Sequence, residues 1–420
     1  MKVMVIGGGG REHAIVKKIK ENPDVKELFV LPGNGGIAQD ATCVEIGAKD
    51  IEKIVNFAVE NKIEFAVVAP DDPLVIGVVD ALEEVGVPCF GPNKRAAILE
   101  GSKVFSKDLM KKYNIPTAQY EVFDDMAKAL EYLETAPIPT VVKADGLALG
   151  KGVVIAETRE QAKDAVRSMM EDKIFGASGD HIVIEEFLTG PEVSVLAFTD
   201  GKTMIPMVSS MDHKRALDGD KGLNTGGMGT IAPNPYYTEK IAQECMETIF
   251  LPTMDAMNKE DRTFKGCLYF GLMLTANGPK VIEYNCRFGD PETQVVLPLL
   301  ESDLLMIMQH IAKGTLAEAE VKFGDKAACC VIMASAGYPG KYETGFPITL
   351  PENNNQIYVA GAKNKNGVMV TGGGRVLGVS EVADSLEEAI AKAYETVKTV
   401  NFENAYYRND IGKKALAAEV

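Results

Sequence analysis

Gly271-Leu272-Met273-Leu274-Thr275-Ala276-Asn277-Gly278-Pro279-Lys280-Val281-Ile282-Glu283-Tyr284-Asn285 holds two apolar β runs, residues 271–275 and 280–285. The Asn-Gly pair between them marks a tight hairpin. Glu283 and Asn285 lie two apart on the second run, so a strand puts them on one side and Ile282 and Tyr284 on the other. A carboxylate beside an amide oxygen suits a hard cation such as Mg²⁺, which keeps waters and phosphate oxygens as its other ligands. The chain then enters Cys286-Arg287-Phe288-Gly289-Asp290-Pro291-Glu292-Thr293-Gln294. An exposed strand face running into a surface loop is the plain alternative. Charge and glycine packed directly behind an apolar strand favour a functional site.

Upstream, residues 140–144, 152–156, 182–188, 193–200 and 203–209 read as paired strands with long glycine loops, an α+β texture. Lys143 ends the first of these and precedes Ala144-Asp145-Gly146-Leu147-Ala148-Leu149-Gly150-Lys151-Gly152. Lysines at both ends of a glycine-rich loop can close over a triphosphate, and a flexible hairpin loop is the alternative. The P-loop pattern is not met, because Lys151 is followed by Gly152 rather than Ser or Thr. The run Ile182-Val183-Ile184-Glu185-Glu186-Phe187-Leu188, with Glu192 beyond it, could offer backbone to a base edge and a carboxylate to ribose. By itself it reads first as a plain edge strand. Asp212-His213-Lys214-Arg215 and Asn224-Thr225-Gly226-Gly227-Met228-Gly229 form a second polar stretch, which alone reads as solvated surface.

The first hundred residues alternate strand, turn and helix: strands at 3–6, 28–31, 65–69 and 88–91, a helix from 12 to 20, and another through Glu84. That order predicts a parallel sheet with right-handed crossovers and ligands beyond its carboxyl ends. Gly7-Gly8-Gly9-Gly10 opens a helix and can admit a phosphate to its N–H groups. A dinucleotide would need an acid at the end of the second strand, where the chain has Val30-Leu31-Pro32.

The 420 residues imply two to four domains, and 46% hydrophobic with 25% charged residues is an ordinary globular balance. A net charge of −16 argues against bulk binding to nucleic acid or anionic membrane. Seven scattered cysteines give neither a disulfide framework nor zinc spacing, which points to a reducing cytoplasm. No stretch is apolar for long enough to span a membrane or serve as a signal peptide. The expected division is residues 1–100, 101–325 with a smaller lid about 116–190, and 326–420.

Taken in order, these motifs resemble those of the phosphoribosylamine–glycine ligases, or glycinamide ribonucleotide synthetases, of the ATP-grasp superfamily. The resemblance runs the whole length. It rests on Gly9-Gly10-Arg11-Glu12-His13, Pro32-Gly33-Asn34, Leu99-Glu100-Gly101-Ser102-Lys103, Val142–Leu147, Gly150–Val153, Ile184–Leu188, Asp212–Arg215, Asn224–Gly229, Ile282–Gln294 and Gly373-Gly374-Arg375-Val376-Leu377. It implies an N-terminal doubly wound parallel sheet, a central ATP-grasp fold and a small C-terminal α+β domain.

It also implies ATP-dependent joining of glycine to 5-phosphoribosylamine through glycyl phosphate, in purine biosynthesis. The cofactors are ATP with Mg²⁺ or Mn²⁺, and the partners are small molecules, with the chain a monomer or weak homodimer. Lys103, Lys143, Gly150, Lys151 and Gly152 would hold phosphates. Glu185, Glu186 and Phe187 would meet adenine, and Glu192 ribose. Glu283 and Asn285 would take the metal. Arg287, Lys143 and Asp212 would be catalytic, with Arg287, Gly227 and Asp212 on glycine. Gly9, Gly10, Asn34, Lys214, Asp290, Gly374 and Arg375 would hold the sugar phosphate substrate.

Two positions depart from the family pattern: Asp71 stands where Glu is common, and Leu223 where Pro is common. The stretch Phe270-Gly271-Leu272 lacks the acid that many other ATP-grasp enzymes carry. Another ATP-grasp ligase, a nicotinamide-dependent oxidoreductase and a non-catalytic nucleotide-binding regulator are the alternatives.

Overall fold

The computed structural model describes residues 1–147 and 152–418. Its first sheet contains β1 (Lys2–Gly7), β2 (Glu27–Pro32), β3 (Thr42–Cys43), β4 (Phe65–Val68) and β5 (Cys89–Phe90). They lie in the order β3-β2-β1-β4-β5, all parallel. Val3 and Val5 pack with Ala14, Ile15 and Ile19 of the helix Gly10–Lys20. Met4 and Ile6 pack on the opposite face with Ile54, Ala58, Val79 and Leu82. Burial on both faces is why β1 is apolar throughout instead of alternating. The helix expected through Glu84 is two helices, Asp71–Ile76 and Val78–Glu84. Gly77 separates them with φ +98°, a conformation that ends a helix and suits glycine.

The next sheet holds β6 (Tyr120–Phe123), β7 (Thr140–Ala144), β8 (Val153–Ala156) and β9 (Ile182–Glu186), antiparallel in the order β6-β9-β7-β8. Helices Met126–Leu133 and Arg159–Met170 bury Ala129, Leu133, Ala162 and Val166 against it. The chain continues through β10 (Glu192–Thr199), β11 (Met204–Pro206), β12 (Met211–Asp212), β13 (Arg215–Leu217), β14 (Lys221–Asn224), β15 (Gly229–Ala232), β16 (Gly266–Thr275) and β17 (Gly278–Asn285). A third sheet runs β11-β10-β16-β17. Leu223 sits on the exposed β13–β14 ribbon, where its side chain is in solvent.

The remaining strands are β18 (Ala327–Ser335), β19 (Ile357–Val359), β20 (Ala362–Lys365), β21 (Val368–Thr371), β22 (Arg375–Ala383) and β23 (Ala405–Tyr406). The last large sheet runs β12-β15-β18-β22-β19. Two strands of the central stretch therefore belong to the C-terminal sheet, and the chain crosses the expected division at residue 325. This crossing brings Asp212 beside Arg375.

The hairpin of β16 and β17 carries the consequential irregularity. Gly271 is opposite Glu283 and Leu272 is opposite Val281, so Ile282 is an extra residue on its strand. A bulge leaves that residue outside the ladder and re-aims its neighbours. Glu283 and Asn285 stay on one side, and Tyr284 is buried with Phe250 and Phe270.

Candidate functional site

Glu283 and Asn285 lie at the end of β17, neither of them fully buried. Burial opposes ionisation of Glu283, yet Lys214, Lys143, Lys103 and Arg287 together hold its carboxyl below the usual range. The amide of Asn285 is oriented by Glu100: Asn285 Nδ2 donates to Glu100 Oε1 at 3.0 Å. An amide whose nitrogen is fixed in this way presents its oxygen elsewhere, the orientation a cation needs. Glu100 Oε2 also accepts the Cys286 N–H at 2.7 Å, and Arg287 Nη2 lies 3.0 Å from Oε1. One buried carboxylate thus organises three consecutive residues. Burial pushes the Glu100 carboxyl up, and Arg287 opposes that shift.

The bulge fixes a second group. Ile282 lies outside the ladder pairing of β16 and β17, and its carbonyl accepts from Lys143 Nζ at 3.2 Å. Lys143 Nζ is also 3.0 Å from Glu185 Oε1. That contact is close but lacks the angle of a hydrogen bond, so Oε1 has an ion-pair neighbour without a directed donor. Glu185, expected to offer backbone to adenine, instead sends its buried carboxylate to two lysines, the other being Lys107, 3.1 Å from Oε2. Its carbonyl accepts from Thr140 Oγ1 at 2.9 Å. Glu186 Oε2 accepts from the Gln119 N–H at 3.1 Å, and Phe187 follows the end of β9.

Lys103 starts the helix Lys103–Lys112, and its Nζ donates to the Gly146 carbonyl at 2.7 Å. Ser102 caps that helix and also donates to Asp145, whose other oxygen accepts the Val104 N–H. The base of the expected phosphate loop is therefore tied to the helix start. Gly150 and Lys151 lie outside the described residues, and the Gly152 carbonyl accepts from the Ala144 N–H at 2.8 Å.

Lys214 is placed differently from expectation. Its Nζ is 3.4 Å from Glu192 and 3.7 Å from Glu283, among the groups assigned to ribose and metal instead of the sugar phosphate. The physical reason is charge: Glu192 above all, then Glu283, draws the ammonium and raises its pKa well above the ordinary value.

A second cluster adjoins the first. Arg375 Nη1 donates to the carbonyls of Gly226 and Asp290 at 2.9 Å each, and Nη2 is 3.6 Å from the Asp290 carboxylate. Nη1 also reaches the Gly227 carbonyl at 3.4 Å. The Gly374 carbonyl accepts from the Ser335 N–H at 2.7 Å and sets the chain ahead of Arg375. Asp290 also accepts from Gln294 at 2.7 Å. Burial and the Glu292 carboxylate push Asp212 well above the usual carboxylate range, against Lys214 and Arg375. Among the described residues, Asp212 Oδ1, Arg287 Nε and Gln294 Oε1 are buried without a protein partner. Buried polar atoms without a protein partner are those a polar ligand can satisfy.

Two residues expected on the sugar phosphate already have protein hydrogen-bond partners. Asn34 Nδ2 donates to the carbonyls of Gly8 and Val359, and its Oδ1 accepts from Gly36 and Ile37. The amide is thereby consumed in stitching the loop to the C-terminal unit. The Gly9 N–H donates to Glu12 Oε2 at 2.6 Å, so it is already occupied, whereas Gly10 begins the helix beside Gln294. His213 is likewise structural: one ring nitrogen lies 3.1 Å from the Gly229 carbonyl and the other accepts from Gly412.

Family models match in chain order: the phosphoribosylglycinamide synthetase N domain over residues 1–100, its ATP-grasp (A) domain over 101–293 and its C domain over 328–414. The phosphoribosylamine–glycine ligase of Caldanaerobacter subterraneus is 48% identical over 413 residues, covering 98% of this chain and 99% of that protein. The chain belongs to the phosphoribosylglycinamide synthetase family. The crystal structure of the Thermotoga maritima phosphoribosylamine–glycine ligase superposes with a TM-score of 0.86 at 36% identity, over 98% of this chain and all 100% of that one. A biotin carboxylase domain from Hydrogenobacter thermophilus, at 16% identity and a TM-score of 0.74 over 97% of this chain and 91% of that one, shares the fold. With the family, the expected architecture holds: a parallel N-terminal sheet, a central ATP-grasp unit and a C-terminal unit.

Glu100, Lys107 and Glu292 were given no role by sequence reasoning. Glu100 stands in a motif of the family resemblance, and Glu292 in the charged loop, but nothing local shows what either touches.

Proposed function

We propose that the protein ligates glycine to 5-phosphoribosylamine at the expense of ATP, yielding glycinamide ribonucleotide, ADP and phosphate. The observation that carries this reading is the convergence of Lys103, Lys143, Lys214 and Arg287 on Glu283, beside an asparagine whose oxygen is left free. Phosphoryl transfer asks a protein chiefly for positioning and charge neutralisation, and this cluster is suited to both.

Lys103, Lys143 and Lys214 bind the triphosphate, with the end of β9 beside adenine and Glu192 on the ribose. Glu283 and the Asn285 oxygen fit Mg²⁺ or Mn²⁺, since both are accessible oxygen donors on one face. When bound, that ion neutralises phosphate charge. Arg287 holds the glycine carboxylate, and Asp212 with Glu292 receives its ammonium group. A cation there would favour the ionised form of Asp212. Glycine oxygen attacks the γ-phosphorus, ADP leaves, and glycyl phosphate forms. The substrate amine then attacks the acyl carbon and phosphate departs. Arg375, Asp290 and the Gly10 amide line the side from which the sugar phosphate approaches.

No helix among the described residues is long and apolar enough to cross a membrane. The net charge of −16 favours small-molecule substrates over nucleic acid or anionic membrane, and our reading is a cytoplasmic enzyme acting as a monomer or weak homodimer.

A coupled ADP assay tests the reading. ADP release is expected only with glycine and freshly made phosphoribosylamine together, with glycinamide ribonucleotide identified by mass. Equal release with bicarbonate, D-alanine or no acceptor would assign the chain to different chemistry.

A further inference from the structure

Within the ATP site just proposed, and resting on that reading, we propose that Lys107 is a positioning residue: it occupies one oxygen of Glu185 so that Lys143 keeps its positive charge for phosphate. The geometry is a buried triad. Lys107 Nζ lies 3.1 Å from Glu185 Oε2 and Lys143 Nζ lies 3.0 Å from Oε1. The three side chains are 3%, 6% and 4% exposed for Lys107, Lys143 and Glu185. Two cations on one anion leave a net charge of +1. Without Lys107, Glu185 and Lys143 would form a closed neutral pair, and the field at the phosphates would fall.

Lys107 is also aimed by the strand that carries Glu283. Its Nζ donates to Thr117 Oγ1 at 2.8 Å, which donates to the Val281 carbonyl at 2.7 Å. Val281 adjoins the bulged Ile282, whose carbonyl holds Lys143. Both ammonium groups are thus referenced to one stretch of β17. A lone buried lysine is costly, so an amine at this depth requires such partners.

The position is also sensitive to pH. Burial pulls Lys107 down to about 8, against the opposing charge of Glu185. The groups facing it are Glu185 and Glu186 on β9, Lys143 on β7, and the Tyr120 ring on β6, whose hydroxyl donates to Asp108. Lys103, on the same helix, is also lowered by burial and shares the phosphate site. Loss of the Lys107 proton should therefore weaken ATP binding at a pH where phosphate is already fully ionised.

The test measures ATP affinity by calorimetry, alongside KM and kcat, from pH 7 to 9.5. K107M is expected to raise the Kd and KM for ATP about tenfold at pH 7, near 1.4 kcal/mol, with a smaller change in kcat. Wild-type affinity should fall as pH passes about 8, and K107M should lose that step. K107R should keep high affinity across the range, because arginine does not deprotonate there. The double variant K107M/E185Q should regain most of the lost affinity, since Lys143 is no longer neutralised. A packing role would give no such recovery. Wild-type ATP affinity in K107M, an unchanged pH step in that variant, or further loss in the double variant would overturn the proposal. Wild-type ADP release dependent on glycine and amine stands or falls separately, so failure here leaves the ligation reading intact.

Discussion

Glu283→Ala is expected to lower kcat about 10²–10³-fold, the loss of about 2.7–4 kcal/mol typical when one preorganised charge-stabilising group is removed. Glu283 faces Lys214, Lys143, Lys103 and Arg287, so its removal has two consequences. It deletes an anionic ligand for the divalent ion, and it leaves mutually repelling cations around the triphosphate. The first predicts that more Mg²⁺ is needed for half-maximal rate, and the second that excess Mg²⁺ recovers only part of the loss. Steady-state rates over a Mg²⁺ titration separate these effects. Near-wild-type ATP turnover by the variant at limiting Mg²⁺ would contradict the metal assignment.

Glu100→Ala should harm fold and activity together. Breaking a buried ion pair by deleting one partner typically costs about 3–5 kcal/mol, because the surviving charge is left uncompensated. Here Arg287 loses its carboxylate, the Cys286 N–H loses its acceptor, and the Asn285 amide loses what orients it. The urea midpoint should fall, and residual activity should show a raised Mg²⁺ requirement although no metal ligand has been removed. Glu100→Gln retains one acceptor but brings an NH₂ group that cannot accept from Asn285, so it should recover stability more than metal affinity. Wild-type stability and Mg²⁺ dependence in Glu100→Ala would show that Arg287 and Asn285 are held by other means.

These two residues also mark what a single sequence reveals. That Glu283 and Asn285 share a face was legible because the relation is local: a two-residue spacing after an Asn-Gly turn puts both on one pleat. Glu100 was not, because it acts on Asn285 across 185 residues of chain, and only the fold brings them together. The bulge at Ile282 was equally hidden, since it is a property of the pairing with β16 and has no mark of its own. The resemblance implies a place for Asn34 on the sugar phosphate, and what the sequence does not show is that its amide is already bonded to neighbours including Val359, 325 positions away. Polar residue type indicates capacity for a hydrogen bond, and only the full set of partners shows whether capacity remains. Four strands of the N-terminal sheet were readable from their apolar runs, whereas the two-residue β3 was not. The joining of β12 and β15 to the C-terminal sheet was not, because short strands carry little periodicity.

The most direct measurement follows an oxygen atom. Glycine labelled with ¹⁸O in both carboxylate positions is supplied with ATP and phosphoribosylamine, and the released phosphate is analysed by mass. If the glycine carboxylate attacks the γ-phosphorus in this cleft, each turnover transfers one ¹⁸O into inorganic phosphate and leaves the other in the product amide. Phosphate free of label, with product still formed, would contradict carboxylate activation by phosphoryl transfer.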